Sequence, residues 1–237
     1  VDIAVELDGV SVTGVVAGVH RVGAEGVLVD VAFTRPRDSV QLQTAVQLAA
    51  LQLADPATEW SAIVVRRPNT GRNPIAMRIR LVGDDTTARR VLSMGAQLLE
   101  WATRDAVPLL ERTSSSLGGS ATTVKPDDWQ ADCKDDFVSR LFAHGGPDTF
   151  LAAPVLPTDP EGVRDIAAVR RVGRAVATAS WVWATVDHAT LVVRSWRDRA
   201  PKSFDDHLES EAKKAGKAAK VAAKQSTAAA AADEEQA

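Results

Sequence analysis

The chain has 237 residues, of which 45% are hydrophobic and 25% charged, a balance that excludes a wholly disordered or collagen-like protein. A single cysteine, Cys133, excludes a disulfide scaffold, and no apolar run reaches the ~18 residues that a membrane span needs. The net charge of −3 lacks the strong positive excess of an unaided nucleic-acid binder.

From its first residue, Val1, the chain reads as strand, so a piece of a longer or processed protein is expected. Val1–Leu7 alternates apolar and polar residues, Asp8-Gly9 makes a hairpin turn, and Val10–Val19 resumes the strand. Gly23-Ala24-Glu25-Gly26 forms the next turn. Val27–Phe33 is a third strand, apolar on both faces and therefore central. Asp38 or Ser39 caps an amphipathic helix over Val40–Leu53, in which Leu42, Ala45, Val46, Ala49, Ala50 and Leu53 recur at three and four. Asp55-Pro56 ends it. Trp60–Arg66 and Ala76–Val82 are a fourth and a fifth strand. Asp84-Asp85 then caps a long helix running to about Leu110.

The texture changes beyond that point. Thr113–Thr123 reads as a polar loop, Pro126–Phe142 as a short Asp-rich helix with Trp129, Phe137 and Leu141 inward, and Pro154–Pro160 as a hinge. Gly162–Val186 is a further helical segment. From Pro201 the chain is low-complexity Ala/Lys/Glu, with a solvated helix expected over Asp205–Lys224 and a disordered tail over Ala228–Ala237. Residues 1–150 are thus expected as one domain, 151–200 as a helical extension and 201–237 as a tail.

Charge is unevenly distributed. Residues 1–200 carry 20 Arg and 2 Lys against 24 acids, whereas residues 201–237 carry 6 Lys and no Arg against 7 acids. Arginine suits bidentate contacts with carboxylates or phosphates, although a compositional bias that also explains the abundant Ala and Val is the simpler account. Other chemistry is weakly signalled. Pro126-Asp127 with Asp132-Cys133-Lys134 spells a nuclease motif, but the two parts are too close to cross between paired strands. The surrounding aspartates lack the spacing of a calcium loop. Gly118-Gly119-Ser120 lacks the lysine of a phosphate loop, and His20, His144, His188 and His207 show no zinc spacing. Ser114–Ser116 reads as a flexible turn, and Trp181, Trp183 and Trp196 as core or interface residues.

Strand, turn, strand and helix in this rhythm match the core of metal-dependent restriction-type nucleases. That chemistry needs an acid on one strand and, on its neighbour, a second acid followed two residues later by a lysine. The acids hold divalent ions that activate water, and the lysine supports developing negative charge. A strand period of two puts acid and lysine on one face.

Thr13-Gly14-Val15-Val16-Ala17-Gly18-Val19 followed by Val27-Leu28-Val29-Asp30-Val31-Ala32 resembles the nuclease core of RecB-type proteins, and Gln41-Leu42-Gln43 through Leu51 resembles the helix that follows. The first acid falls on Ala17, the second on Asp30 and the lysine on Ala32, so the catalytic residues are lost. The chain is similar to the inactivated nuclease-like C-terminal domain of RecC, the gamma subunit of exodeoxyribonuclease V. The likeness covers residues 1 to about 150. It rests on the turn Phe33-Thr34-Arg35, on Pro56 with the strand Trp60–Arg66, and on the stretch Pro108–Ser114. The basic residues after the third strand are thinned and the Pro-Leu-Pro-Leu signature is half present.

The resemblance implies an α/β (α+β) fold with a restriction-endonuclease-like (PD-(D/E)XK-type) mixed sheet flanked by helices and a helical C-terminal part. It further implies a non-catalytic part of a cytoplasmic helicase–nuclease that processes double-strand breaks. RecB-type and RecD-type subunits and DNA would be the partners, with ATP and Mg on those subunits and no cofactor in this chain. Arg66, Arg67, Arg78 and Arg80 are the expected contacts to DNA or partner, clustered on a strand edge. An active nuclease that uses Asp30 with acids outside the core, or a stand-alone interaction module, are the alternatives.

Overall fold

The computed structural model describes residues 1–7, 9–32, 38–67, 75–118, 125–134 and 146–195. Alternation organises the N-terminal hairpin: β1 (Asp2–Leu7) buries Ile3, Val5 and Leu7 and exposes the residues between them. It pairs antiparallel with β2 (Val10–Val15). The single strand expected over Val10–Val19 is divided in two. Gly18 adopts a φ of +72°, where a Cβ would stand 2.5 Å from the Val29 carbonyl oxygen. This left-handed residue ends the run, and β3 (Val19–Val22) joins a different sheet.

That second sheet has five strands in the order β3-β4-β5-β6-β7, comprising β4 (Glu25–Ala32), β5 (Glu59–Arg66), β6 (Ile75–Leu81) and β7 (Thr190–Ser195). Between β4 and β5 runs helix α1 (Asp38–Ala54), and a helical crossover is what allows those two strands to lie parallel. All other pairings are antiparallel, so the sheet is mixed. As expected, β4 is an interior strand.

One face of the sheet carries the main core. Leu28, Trp60, Ala62, Val64, Met77 and Ile79 pack there against Ala45, Leu48, Ala49 and Leu51 of α1. Trp60 lies flat over Gly26, a position without room for any side chain. Behind α1 lie α2 (Asp85–Ala102), α3 (Glu111–Gly118) and α7 (Arg174–Ala189). Asp84 caps α2, its carboxylate accepting from the Thr86 and Thr87 N–H groups at 3.1 and 3.3 Å. The helix stops at Ala102, short of the expected Leu110.

The C-terminal third departs further from expectation. Of the expected loop Thr113–Thr123, residues 113–118 lie within α3 and the remainder lies outside the described residues. The helix expected over Pro126–Phe142 is described as α4 (Pro126–Asp132), and α5 spans Gly146–Ala152. The long segment from Gly162 is two helices, α6 (Glu161–Arg170) and α7, separated where Arg171 takes a φ of 55°. Residues 151–200, expected as a helical extension, supply β7 to the sheet, and Val176, Val182, Trp183 and Val186 of α7 lie in the main core. Among the described residues no helix is long and apolar enough to cross a membrane. Asp8, the turn 33–35, Phe137, Leu141, Trp196 and the tail 201–237 lie outside the described residues.

Candidate functional site

Of the three expected nuclease positions, Asp30 and Ala32 lie on β4 and Ala17 lies just before β3. Strands β3 and β4 pair with Val19 opposite Leu28, and the Val29 N–H donates to the Gly18 carbonyl at 2.8 Å. The left-handed Gly18 ends this pairing, and Ala17 precedes it in the chain. Ala32 follows Asp30 by two residues, on the same face.

Asp30 is already occupied. On the neighbouring parallel strand Ala32 is level with Arg66, and Asp30 with Val64, so Arg66 shares the face of Asp30. The Arg66 Nη2 donates to the Asp30 carboxylate in a short ion pair, and Nη1 donates to the Asp30 carbonyl at 3.2 Å and to the Val65 carbonyl at 3.0 Å. Arg66 is 4% exposed and Asp30 about one-third exposed. Arg66 thus places a positive charge level with Ala32 on the next strand. The strand Trp60–Arg66 was legible, but the parallel register that sets Arg66 beside Asp30 was not.

The expected arginine cluster is divided. β5 and β6 are interior strands, so these residues do not line a sheet edge. Arg66 is buried on the helix-covered face. Arg78 and Arg80 project from the opposite face, where register places Arg78 between Ile63 and Val193. Arg80 pairs with Glu59 at 3.7 Å. Arg67, just beyond β5, is exposed.

Two further polar groupings hold the helices. Asp132 of α4 reaches the start of α3, accepting from the Arg112 and Thr113 N–H groups at 3.3 and 2.9 Å. The literal nuclease motif at Pro126–Lys134 thus sits on and just after a short helix, with its second acid acting as a cap. The Cys133 thiol is pushed up by burial and by Asp132. At the other end of the helical layer, Arg174 binds the wholly buried Asp159 through Nε and Nη2 at 2.7–3.0 Å, and Asp105 through Nη2 at 2.5 Å. Its guanidinium lies 5.0 Å from the Trp101 ring centroid. Burial works against the Arg174 charge, but Asp159 and Asp105 outweigh it and hold its pKa above the ordinary value. No sequence motif announced this network: Asp105 and Arg174 are 69 positions apart, and helix α6 lies between Asp159 and Arg174.

Among the described residues no three His, Cys, Asp or Glu side chains converge as a metal-binding group. Comparison of the chain with protein-family models, with curated proteins and with solved structures gave no match.

Proposed function

We propose that this chain is an inactivated restriction-nuclease-like domain, similar to the C-terminal domain of RecC. It would serve as a structural part of a helicase–nuclease that processes double-strand DNA breaks for recombinational repair. ATP hydrolysis and strand cutting would belong to RecB-type and RecD-type partners, and this domain would dock them and shape the path of separated strands.

The observation that carries the reading is the Asp30–Arg66 pair. In support, β4 and β5 lie parallel through the helical crossover α1 in a mixed sheet, as such a core would require, and Asp30 and Ala32 share one face of β4. An active site of this type needs its carboxylates to hold a cation. Here the one remaining carboxylate is held by a guanidinium that its own fold provides. The near-neutral charge of residues 1–200 supports protein docking over independent DNA binding, since neutralising many phosphates requires a surplus of cations.

The test is a pair of titrations at about 0.15 M salt, one with forked duplex DNA and one with a co-expressed helicase–nuclease subunit from the same source. Tight association with the subunit and DNA binding no better than roughly micromolar are the expected results. Nanomolar DNA binding by the chain alone, or no association with the subunit, overturns the proposal.

A further inference from the structure

The edge of the N-terminal hairpin is open on the β2 side. Among the described residues β2 pairs with β1 alone, and Val10 and Val15 are 57% and 73% exposed. Val1 and Val16 exchange two 2.9 Å hydrogen bonds, the Val1 amino group donating to the Val16 carbonyl and the Val16 N–H to the Val1 carbonyl. Such bonded pairs alternate along an antiparallel ladder. With Val5 opposite Val12 and Leu7 opposite Val10, the N–H and C=O groups of Val10, Val12 and Gly14 therefore point to β1. Those of Ser11, Thr13 and Val15 point away from it. On the far side of the hairpin the Glu6 carbonyl, turned outward by the same alternation, accepts from Arg89 of α2 at 3.3 Å. β2 also lacks the devices that guard an exposed edge, since Val10–Val15 holds no charge and no proline. β3, an edge of the larger sheet, is four residues long and carries exposed His20 and Arg21.

We propose that β2 pairs with β2 of a second copy of this chain, antiparallel and centred on Thr13. In that register Thr13 faces Thr13 of the second copy and Ser11 faces Val15. Every outward group of β2 then meets a partner, in three facing pairs that each exchange two hydrogen bonds. Facing residues share one face of the joined sheet, so Val12 lies beside Gly14, and the buried Ile3, Val5 and Leu7 of both copies stay on the same side. A two-fold axis normal to the sheet produces this register, and such closed symmetry stops at a dimer rather than a fibre. Charge favours this occupant. An uncharged strand does not repel a copy of itself, and it offers a charged foreign strand no counter-charge. Asp2 and Glu6 of β1 would lie three strand spacings, about 14 Å, from those of the second copy, beyond the ~8 Å screening length. The pairing requires no role in DNA repair.

The experiment uses the full chain. Sedimentation from about 1 to 300 μM should show a monomer giving way to a dimer as concentration rises. Thr13→Pro removes only an outward N–H, which an edge strand tolerates. By symmetry it strikes both copies, and it should weaken dimerisation at least roughly tenfold. Thr13→Lys, which sets two like charges face to face, should do the same with the backbone intact. In a Cys133→Ala background, Thr13→Cys should form a disulfide-linked dimer at least roughly tenfold faster than Ala4→Cys. Ala4 sits opposite Thr13 on β1, too far from its own copy to bridge. A chain that stays monomeric throughout, a dimer indifferent to both Thr13 variants, or equal crosslinking rates would each overturn the proposal.

Discussion

Arg66 binds Asp30 twice over, once through the carboxylate and once through the main-chain carbonyl. A buried guanidinium costs free energy to desolvate, and removing one partner strands the other. Arg66→Met should destabilise the fold by about 2 kcal/mol, less than for a fully buried pair because Asp30 is partly solvated. Asp30→Asn should cost about half as much, since the amide oxygen still accepts. Denaturant midpoints of both variants and of the double variant check this, and the cycle should return a positive coupling.

A larger effect is expected at Arg174. Its removal leaves the Asp159 carboxylate, which is wholly inaccessible, without its cation. Arg174→Ala should therefore cost about 3–5 kcal/mol in urea unfolding. Arg174→Lys should recover only part of that, because a single ammonium cannot reproduce the fork that holds both Asp159 and Asp105.

Asp105 makes part of this network sensitive to acid. The Arg174 hydrogen bond holds its carboxyl below the ordinary 3.8. Folding stability from this group is therefore fully present above that value and is lost as pH falls through the lower folded-state pKa. Unfolding midpoints measured from pH 7 downward should decline below about pH 4, and the decline should be shallower in Asp105→Asn. Identical slopes would show that the pair does not couple to folding.

Asp132→Ala should cost about 1 kcal/mol by uncapping α3, a loss visible as a lowered thermal midpoint. Asp132→Asn should lose less than Asp132→Ala, since its side-chain oxygen can still accept from the α3 N–H groups.

How much of this was legible depends on the range of the forces involved. β4 was readable as a run apolar on both faces and α1 from its recurrence at three and four, and Asp84 announces the start of α2. β7 was hidden because α7 runs into it at Ala189-Thr190 with no glycine or proline between them. The α6–α7 break was hidden because Arg171, not glycine, adopts the left-handed conformation. Serine-rich α3 has poor intrinsic helix propensity, and part of its support comes from Asp132, about twenty positions away. At the candidate site the shared face of Asp30 and Ala32 on one strand was readable from the strand period. The burial of Arg66 against Asp30, and the separation of Arg66 from Arg78 and Arg80 onto opposite faces, depend on the partners each strand chooses.

The most direct test of the central claim is a cleavage assay on linear and single-stranded DNA with magnesium and with manganese, using the purified chain and its Asp30→Ala variant side by side. A locus with alanine at positions 17 and 32, and with its remaining carboxylate held by Arg66, should give no cleavage above buffer for either protein. Metal-dependent cleavage by the native chain that disappears in Asp30→Ala would contradict the account and establish an active nuclease.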